Sequence, residues 1–299
     1  MTRPVGDLLR IEPGSGPVEL LAVDPRSTPG FKGERAAALV EAASVATRLG
    51  QLQEQLFAQG RHGGRQRVLV VLQGMDTSGK GGAVKHVAGA MNPAGLRITG
   101  FGPPTQQERR HDFLWRIEKA LPPAGLIGVF DRSHYEDVLI VRVHDLVPPE
   151  QWQARYAQIN DWEAGLVEQG VVLLKVMLHI SHDEQRARLL ARLDDRTKHW
   201  KVNPGDINER GHWDAYRTAY QVVLERCSTA VAPWHVLPAD RKWYRNWALS
   251  HLMLETLKGM DLTWPVPELD LEGMRRALTP LTSGRSEGLT VGRAHRRKG

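Results

Sequence analysis

The stretch VLVVLQGMDTSGKGGAVKHV, Val68 to Val87, decides how the chain folds. Val68 to Leu72 are all apolar, as a strand buried on both faces requires. A turn from Gly74 to Gly79 follows, and Lys80 then opens a helical pattern. A strand, a glycine-rich turn and a lysine at a helix start make up a phosphate-binding loop of the Walker A type. Glycines let successive backbone N–H groups converge on phosphate oxygens, and the lysine adds a point charge. Gly74, Met75, Thr77, Ser78, Gly79, Gly81 and Gly82 are therefore candidates for holding phosphate or nucleotide, with Lys80 as a catalytic cation. The competing reading is a structural glycine turn ahead of a helix.

One part of the loop departs from the pattern. Ser or Thr normally follows the lysine and ligates magnesium through its hydroxyl. Here that position is Gly81, and an acid, Asp76, lies inside the loop instead. A carboxylate among phosphate-binding groups repels the ligand unless it faces a hard cation such as Mg2+ (or Mn2+), which prefers oxygen. Asp76 is thus expected to hold the metal, directly or through water. The alternative is a local Asx turn.

Outward from this loop the chain alternates between strand and helix patterns. Strands are expected at 67–73, 96–101, 126–130, 171–179 and 234–237, and a long helix at 34–59. Thr105-x-x-Glu108, Ser133-x-x-Glu136 and Ser181-x-x-Glu184 each match a capping box at a helix start. This pattern predicts an α/β protein with a doubly wound, five-stranded parallel sheet flanked by helices. Ligands in such sheets sit beyond the carboxyl ends of the strands, so the loops after 73, 130, 179 and 237 are the ones to search.

Three of those loops carry acids and arginines. In LIGVFDRSHYEDVLIVRVH the apolar strand ends in Asp131, the place of a Walker B-type metal acid, and Arg132 follows. Glu136 joins them as a candidate, although completing the capping box would also explain it. After the fourth strand, RLLARLDDRTKHWKVNPGDINER supplies Arg192, Lys198 and Lys201, expected in a helical lid at about 192–210. The rival is a solvated basic helix with Trp200 as a packing anchor. In LPADRKWYRNW, Asp240 is expected to cap a helix and Arg241 to face the cleft with Lys242 and Arg245, while Trp243, Tyr244 and Trp247 pack in the core.

Composition sets the outer bounds. Of 299 residues, 41% are hydrophobic and 25% charged, which suits a globular enzyme able to bury a large core. A single cysteine, Cys227, excludes an internal disulfide and agrees with a reducing, cytoplasmic location. No apolar run approaches the length of a membrane span. The net charge of +6 suits an anionic partner or simply a soluble surface. Residues 1–30 are expected to form an irregular arm, 31–259 the main domain, and 260–299 a flexible tail with a basic end. No His/Cys metal site and no serine-hydrolase elbow is present.

Together, GMDTSGKGG, FDRSHYEDVL, RLDDRTKHWK and PADRKWYRNW, in that order, resemble the polyphosphate kinase 2 family over about residues 31–259. The RSHYEDVL form, with Glu136, looks most like the branch that phosphorylates both AMP and ADP (class III). Relatives in that branch can carry Asn where Asp131 stands. The resemblance implies a P-loop kinase fold related to thymidylate kinase, with inorganic polyphosphate as donor and AMP, ADP or ATP as nucleotide partners. It also implies Asp76 and Asp131 on Mg2+ or positioning the acceptor phosphate, Arg132 bridging phosphates, closure by Arg192, Lys198 and Lys201, and a homo-oligomer. No nucleic acid or membrane partner is expected. Two alternatives stay open: an ATP-dependent nucleoside-monophosphate kinase on the same fold, and a non-enzymatic module binding polyanions through its basic surface.

Overall fold

The computed structural model describes residues 3–266 and 268–279. Strands β1 (Arg67–Gln73), β2 (Leu96–Gly100), β3 (Ile127–Asp131), β4 (Val171–His179) and β5 (Trp234–Pro238) form one sheet. Its order is β2-β3-β1-β4-β5, and every pairing is parallel. β1 is central, and the side chains of Val68 to Leu72 are almost wholly buried, so their continuous apolar run reflects burial on both faces. All five strands fall within a residue or two of the positions the sequence predicts.

Helices cover both faces: α1 (Val5–Leu9), α2 (Arg35–Arg61), α3 (Lys80–Ala88), α4 (Trp115–Ala120), α5 (Ile140–Val143), α6 (Pro149–Glu168), α7 (His182–Asp194), α8 (Gly205–Glu209), α9 (Trp213–Cys227) and α10 (Lys242–Lys258). α2 buries Val45, Leu49, Leu52 and Leu56, a stripe at spacings of four and three, and packs against α10. At the start of α10, Tyr244 and Trp247 are buried and meet Phe31 and Trp243, so these aromatics are core, as expected.

The arm at 3–30 is less irregular than its Pro and Gly content suggests. Val5, Leu9, Val18 and Leu20 are buried. The Val5 and Gly6 N–H groups, free at the start of α1, donate to the Glu255 carboxylate at 2.8 Å each. Ile11 N–H donates to Trp234 O at 2.8 Å, and Arg10 bridges His235, covering the outer edge of β5. The chain divides into a compact unit up to Pro265 and a second from Val266. In the second, the expected featureless tail contains α11 (Leu271–Leu278), capped by Asp270. The basic end of the tail lies outside the described residues.

The three capping boxes behave differently. Thr105 and Glu108 do bond reciprocally, at 2.6 and 3.2 Å, but start only a 3-10 turn, Glu108–Arg110. Ser181 Oγ accepts from Glu184 N–H, while its own N–H and hydroxyl go to Asp240, both at 2.9 Å. Asp240 therefore braces Ser181, the cap of α7, and does not cap the helix that follows it, which corrects the sequence reading. Ser133 starts the 3-10 turn His134–Asp137, and Glu136 does not return to it. That leaves the Glu136 carboxylate free for the cleft.

Candidate active site

The carboxyl ends of β1, β2 and β3 open into a cavity of about 730 Å³. Its floor is the loop after β1. Gly74 and Gly79 hold φ of 147° and 103°, and a Cβ at Gly79 would lie only 2.2 Å from Arg245 Nη1, so this turn requires glycine. Thr77 and Arg132 also sit at positive φ, 63° and 67°. For non-glycine residues that conformation costs of order 1–3 kcal/mol each, which the surrounding contacts must offset. For the loop these contacts come from Arg188, whose guanidinium donates to the carbonyls of Thr77, Ser78, Ala239 and Asp240. Tyr220 OH accepts from Gly74 N–H at 3.0 Å.

Eight basic side chains and three carboxylates line the cavity. Lys80, Arg132, Arg192, Lys198 and Lys201 are among them, as the sequence predicts, and so are Asp76, Asp131, Gly79, Gly81, Gly82 and Thr77. Gly74, Met75 and Glu136 instead line a smaller adjoining chamber of about 200 Å³, with Tyr216, Tyr220 and Trp213 on its other walls. Asp76, Arg132 and Asp206 border both chambers. Ser78 is fully buried below the loop. The hydroxyls of Thr77 and Ser78 are buried without a hydrogen-bond partner. Arg241 is a correction: it is exposed at the cap of α10 and lines neither chamber, because α10 turns the buried Arg245 and one edge of the exposed Lys242 to the cavity instead. Trp200 is exposed, so the rival reading that made it a packing anchor is not supported.

Several cations already have internal partners. Lys80 Nζ donates to Gly74 O at 2.7 Å, folded back into its own loop. Arg132 Nη2 donates to Asp76 Oδ1 at 2.9 Å. Arg192 pairs with Asp206 at 3.1 Å and Lys198 with Asp195 at 2.7 Å. Burial and the neighbouring Arg132 pull the Lys80 ammonium below its ordinary pKa, against the attraction of Asp76, Asp131 and Glu136. Burial pushes the Glu136 carboxyl up, opposed by Arg132 and Lys80. With its amide oriented to satisfy both neighbours, Gln73 donates to Glu136 Oε1 at 3.1 Å and accepts from Ser133. Arg245 is pulled down to about 10 by burial and then by Arg188. Crowding of cations in partly dry surroundings is electrostatically costly until an anion enters.

The donor set suits a hard divalent cation. The side chains of Asp76 and Asp131 both line the larger cavity, beyond neighbouring strands, and the space where a side chain at Gly81 would begin lies 3.9 Å from Asp131 Oδ2. The carboxylate of Asp131 thus stands near the place that a hydroxyl after the lysine would take in the ordinary loop. Mg2+ uses one or two carboxylates and completes its shell with water and substrate phosphate, so a protein cluster of three ligands is not required. None is found among the described residues.

Sequence reasoning missed Gly100, Phe101, Gly102, Arg188 and Asp206 as cavity walls, while Lys242 and Arg245 do face the cavity as expected. The glycine pair in GFGPP after β2 was a usable signal for the first three. Asp206 had none, since it enters by the fold of the segment after α7. That segment consists of the 3-10 turn Arg196–Lys201, α8 and the 3-10 turn Arg210–His212.

Asp137, just behind the cleft, yields a pH prediction. Burial pushes its carboxyl up to about 6, against the pull of Arg155 at 3.2 Å. A raised acid pKa favours folding while the group is protonated, and that contribution disappears as pH rises through about 6. Asp137→Asn, a fixed mimic of the protonated acid, is expected to be more stable than wild type at pH 8 by on the order of 2 kcal/mol. The gain should vanish near pH 4. Chemical denaturation at both pH values measures this, and a variant less stable than wild type at pH 8 contradicts it.

A parallel sheet in this order, with a glycine-rich loop and lysine at the end of its central strand and a cation-lined cavity above them, defines the P-loop kinase fold. A family model for polyphosphate kinase 2 matches residues 34–264. The AMP/ADP-polyphosphate phosphotransferase of Meiothermus ruber is 47% identical over 259 residues, covering 87% of this chain and 95% of that protein. The ADP-polyphosphate phosphotransferase of Rhodopseudomonas palustris is 40% identical over 230 residues, covering 73% of this chain and 78% of that one. The crystal structure of polyphosphate kinase 2 from Arthrobacter aurescens TC1 matches with a TM-score of 0.89 and 51% identity, over 92% of this chain and 96% of that one. The chain belongs to the polyphosphate kinase 2 family, the polyphosphate:nucleotide phosphotransferases.

Proposed function

We propose that this enzyme transfers the terminal phosphoryl group of inorganic polyphosphate to AMP and to ADP, with Mg2+ as the metal. The observation that carries the reading is the pair of chambers joined at Asp76 and Arg132, the larger one dominated by cations. Polyphosphate carries a charge at every unit and suits the larger chamber. The acceptor's phosphate meets it at the junction from the smaller chamber, where Glu136 stands.

The transfer needs no protein nucleophile. An acceptor phosphate oxygen attacks the terminal phosphorus in line, the anhydride P–O bond breaks, and the shortened polyphosphate leaves with the bridging oxygen as an oxyanion. Most of the protein's work is positioning and charge neutralisation. The N–H groups of the loop and Lys80 take phosphate oxygens once Lys80 leaves the Gly74 carbonyl. Arg132 bridges donor and acceptor phosphates, freeing Asp76. Asp76 and Asp131 are the residues that would hold Mg2+, which when bound would supply charge neutralisation at the phosphates. Arg192, Lys198 and Lys201 close from the lid, exchanging their internal carboxylates for phosphate.

Nucleotide formation with polyphosphate as the sole phosphoryl donor tests this reading. ADP should form from AMP, and ATP from ADP, with both steps lost on chelation of the metal. Phosphorylation of ADP without any phosphorylation of AMP overturns the dual acceptor. A requirement for ATP as donor to AMP overturns the choice of donor.

A further inference from the structure

The motif DRSHYED contributes Asp131, Arg132 and Glu136 to the cleft, but its middle faces away. Ser133, His134 and Tyr135 are completely buried. Beneath them lies a charged pair with no access to solvent: Lys175, in the middle of β4, and Glu163, on α6. Both side chains have zero exposure.

The partners of this pair come from the turn and from one helix end. Lys175 Nζ donates to Tyr135 OH at 2.9 Å, to the Glu163 carboxylate, and to Cys227 O at the end of α9 at 2.6 Å. Tyr135 OH donates to Glu163 Oε1 at 2.8 Å, and His134 Nε2 lies 3.2 Å from the same oxygen. Burial keeps His134 neutral, so Nε2 carries the proton it gives to Glu163. Neither Lys175 nor Glu163 lines either chamber.

A buried ion pair is a poor device for stability alone. Removing two charges from water costs about as much as their attraction returns, and apolar groups of similar volume often stabilise as well or better. What such a pair supplies is direction, since its hydrogen bonds accept one geometry. The geometry at stake here is unusual. Arg132 is held at a φ of 67°, and Glu136 is turned out of the helix-cap role its sequence position offers.

We propose that Lys175 and Glu163 are positioning residues for phosphoryl transfer. They clamp His134 and Tyr135 from below and so hold Arg132 and Glu136 in their orientation at the junction of the two chambers.

The test is the full-length double variant Lys175→Met with Glu163→Leu, which removes both charges and keeps the core volume. Its kcat with polyphosphate and ADP is expected to fall about tenfold to a hundredfold, with KM for polyphosphate within about threefold of wild type. Its thermal midpoint should drop by no more than a few degrees. A folded double variant with kcat within about threefold of wild type overturns the proposal. If the double variant does not fold, Tyr135→Phe decides. It deletes one hydroxyl and leaves the ring in place, so kcat should fall at least about threefold at unchanged KM. A wild-type kcat in that variant overturns the proposal equally. The wild-type rate, measured alongside, separates failure here from failure of the proposed acceptors.

Discussion

Lys80→Met is expected to lower kcat by about a thousandfold or more, the scale on which removing a preorganised cation from a transferring phosphoryl group acts. Methionine preserves most of the buried stem, so the thermal midpoint should move by no more than about 5 °C. The reason lies in the lysine's resting state. Lys80 is nearly buried, and its charge is disfavoured by burial and by Arg132. Its ammonium meanwhile rests on the carbonyl of Gly74, a partner much weaker than a phosphate oxygen. Entry of phosphate thus improves the lysine's surroundings, and the improvement is greatest when charge on the phosphoryl oxygens peaks. Single-turnover rates with saturating polyphosphate measure the effect. A variant that turns over within tenfold of wild type would remove Lys80 from the mechanism.

Asp131→Asn should have an effect of similar size by a different route. The variant keeps the shape of the side chain and removes the charge that faces Gly81. A hard cation held by so few protein ligands depends heavily on each carboxylate. We expect kcat at ordinary Mg2+ to fall by about a hundredfold or more, and the Mg2+ concentration for half-maximal rate to rise at least about tenfold. Asp76→Asn is the informative partner. Asp76 bonds Arg132 at 2.9 Å, so its loss should disturb both metal affinity and the bridge between phosphates. Activity is expected to fall far more than stability in both variants. A magnesium titration unchanged in either would assign that residue to some other task.

The two chemistries differ in how openly the sequence displays them. Val68 to Lys80 could be read as strand, turn and helix start because each part is local: apolar residues for a central strand, glycines for positive φ, and a lysine at the first helical position. Asp131 and Arg132 were legible for the same reason, standing where an apolar run stops. Glu136 was ambiguous, since S-x-x-E is also a capping signal, and only the 3-10 geometry after Ser133 shows that it is free of that role. Arg241 misled because adjacent basic residues on a helix point in different directions, and the register of α10 turned Lys242 and Arg245 toward the loop.

By itself, then, the sequence determined the order and position of the strands, the phosphate loop and the acid–arginine step after β3, because those depend on neighbouring residues. The tertiary structure alone decided which charges meet. Asp76 finds Arg132 across 56 positions, Arg188 ties the loop to the end of β5, and Asp206 reaches the cleft from α8. It also decided what replaces the hydroxyl missing after Lys80. Gly81 leaves open the space that the Asp131 carboxylate of the adjacent strand faces. The physical reason is that electrostatic partnership depends on distance in space, and sheet order rather than chain order sets that distance.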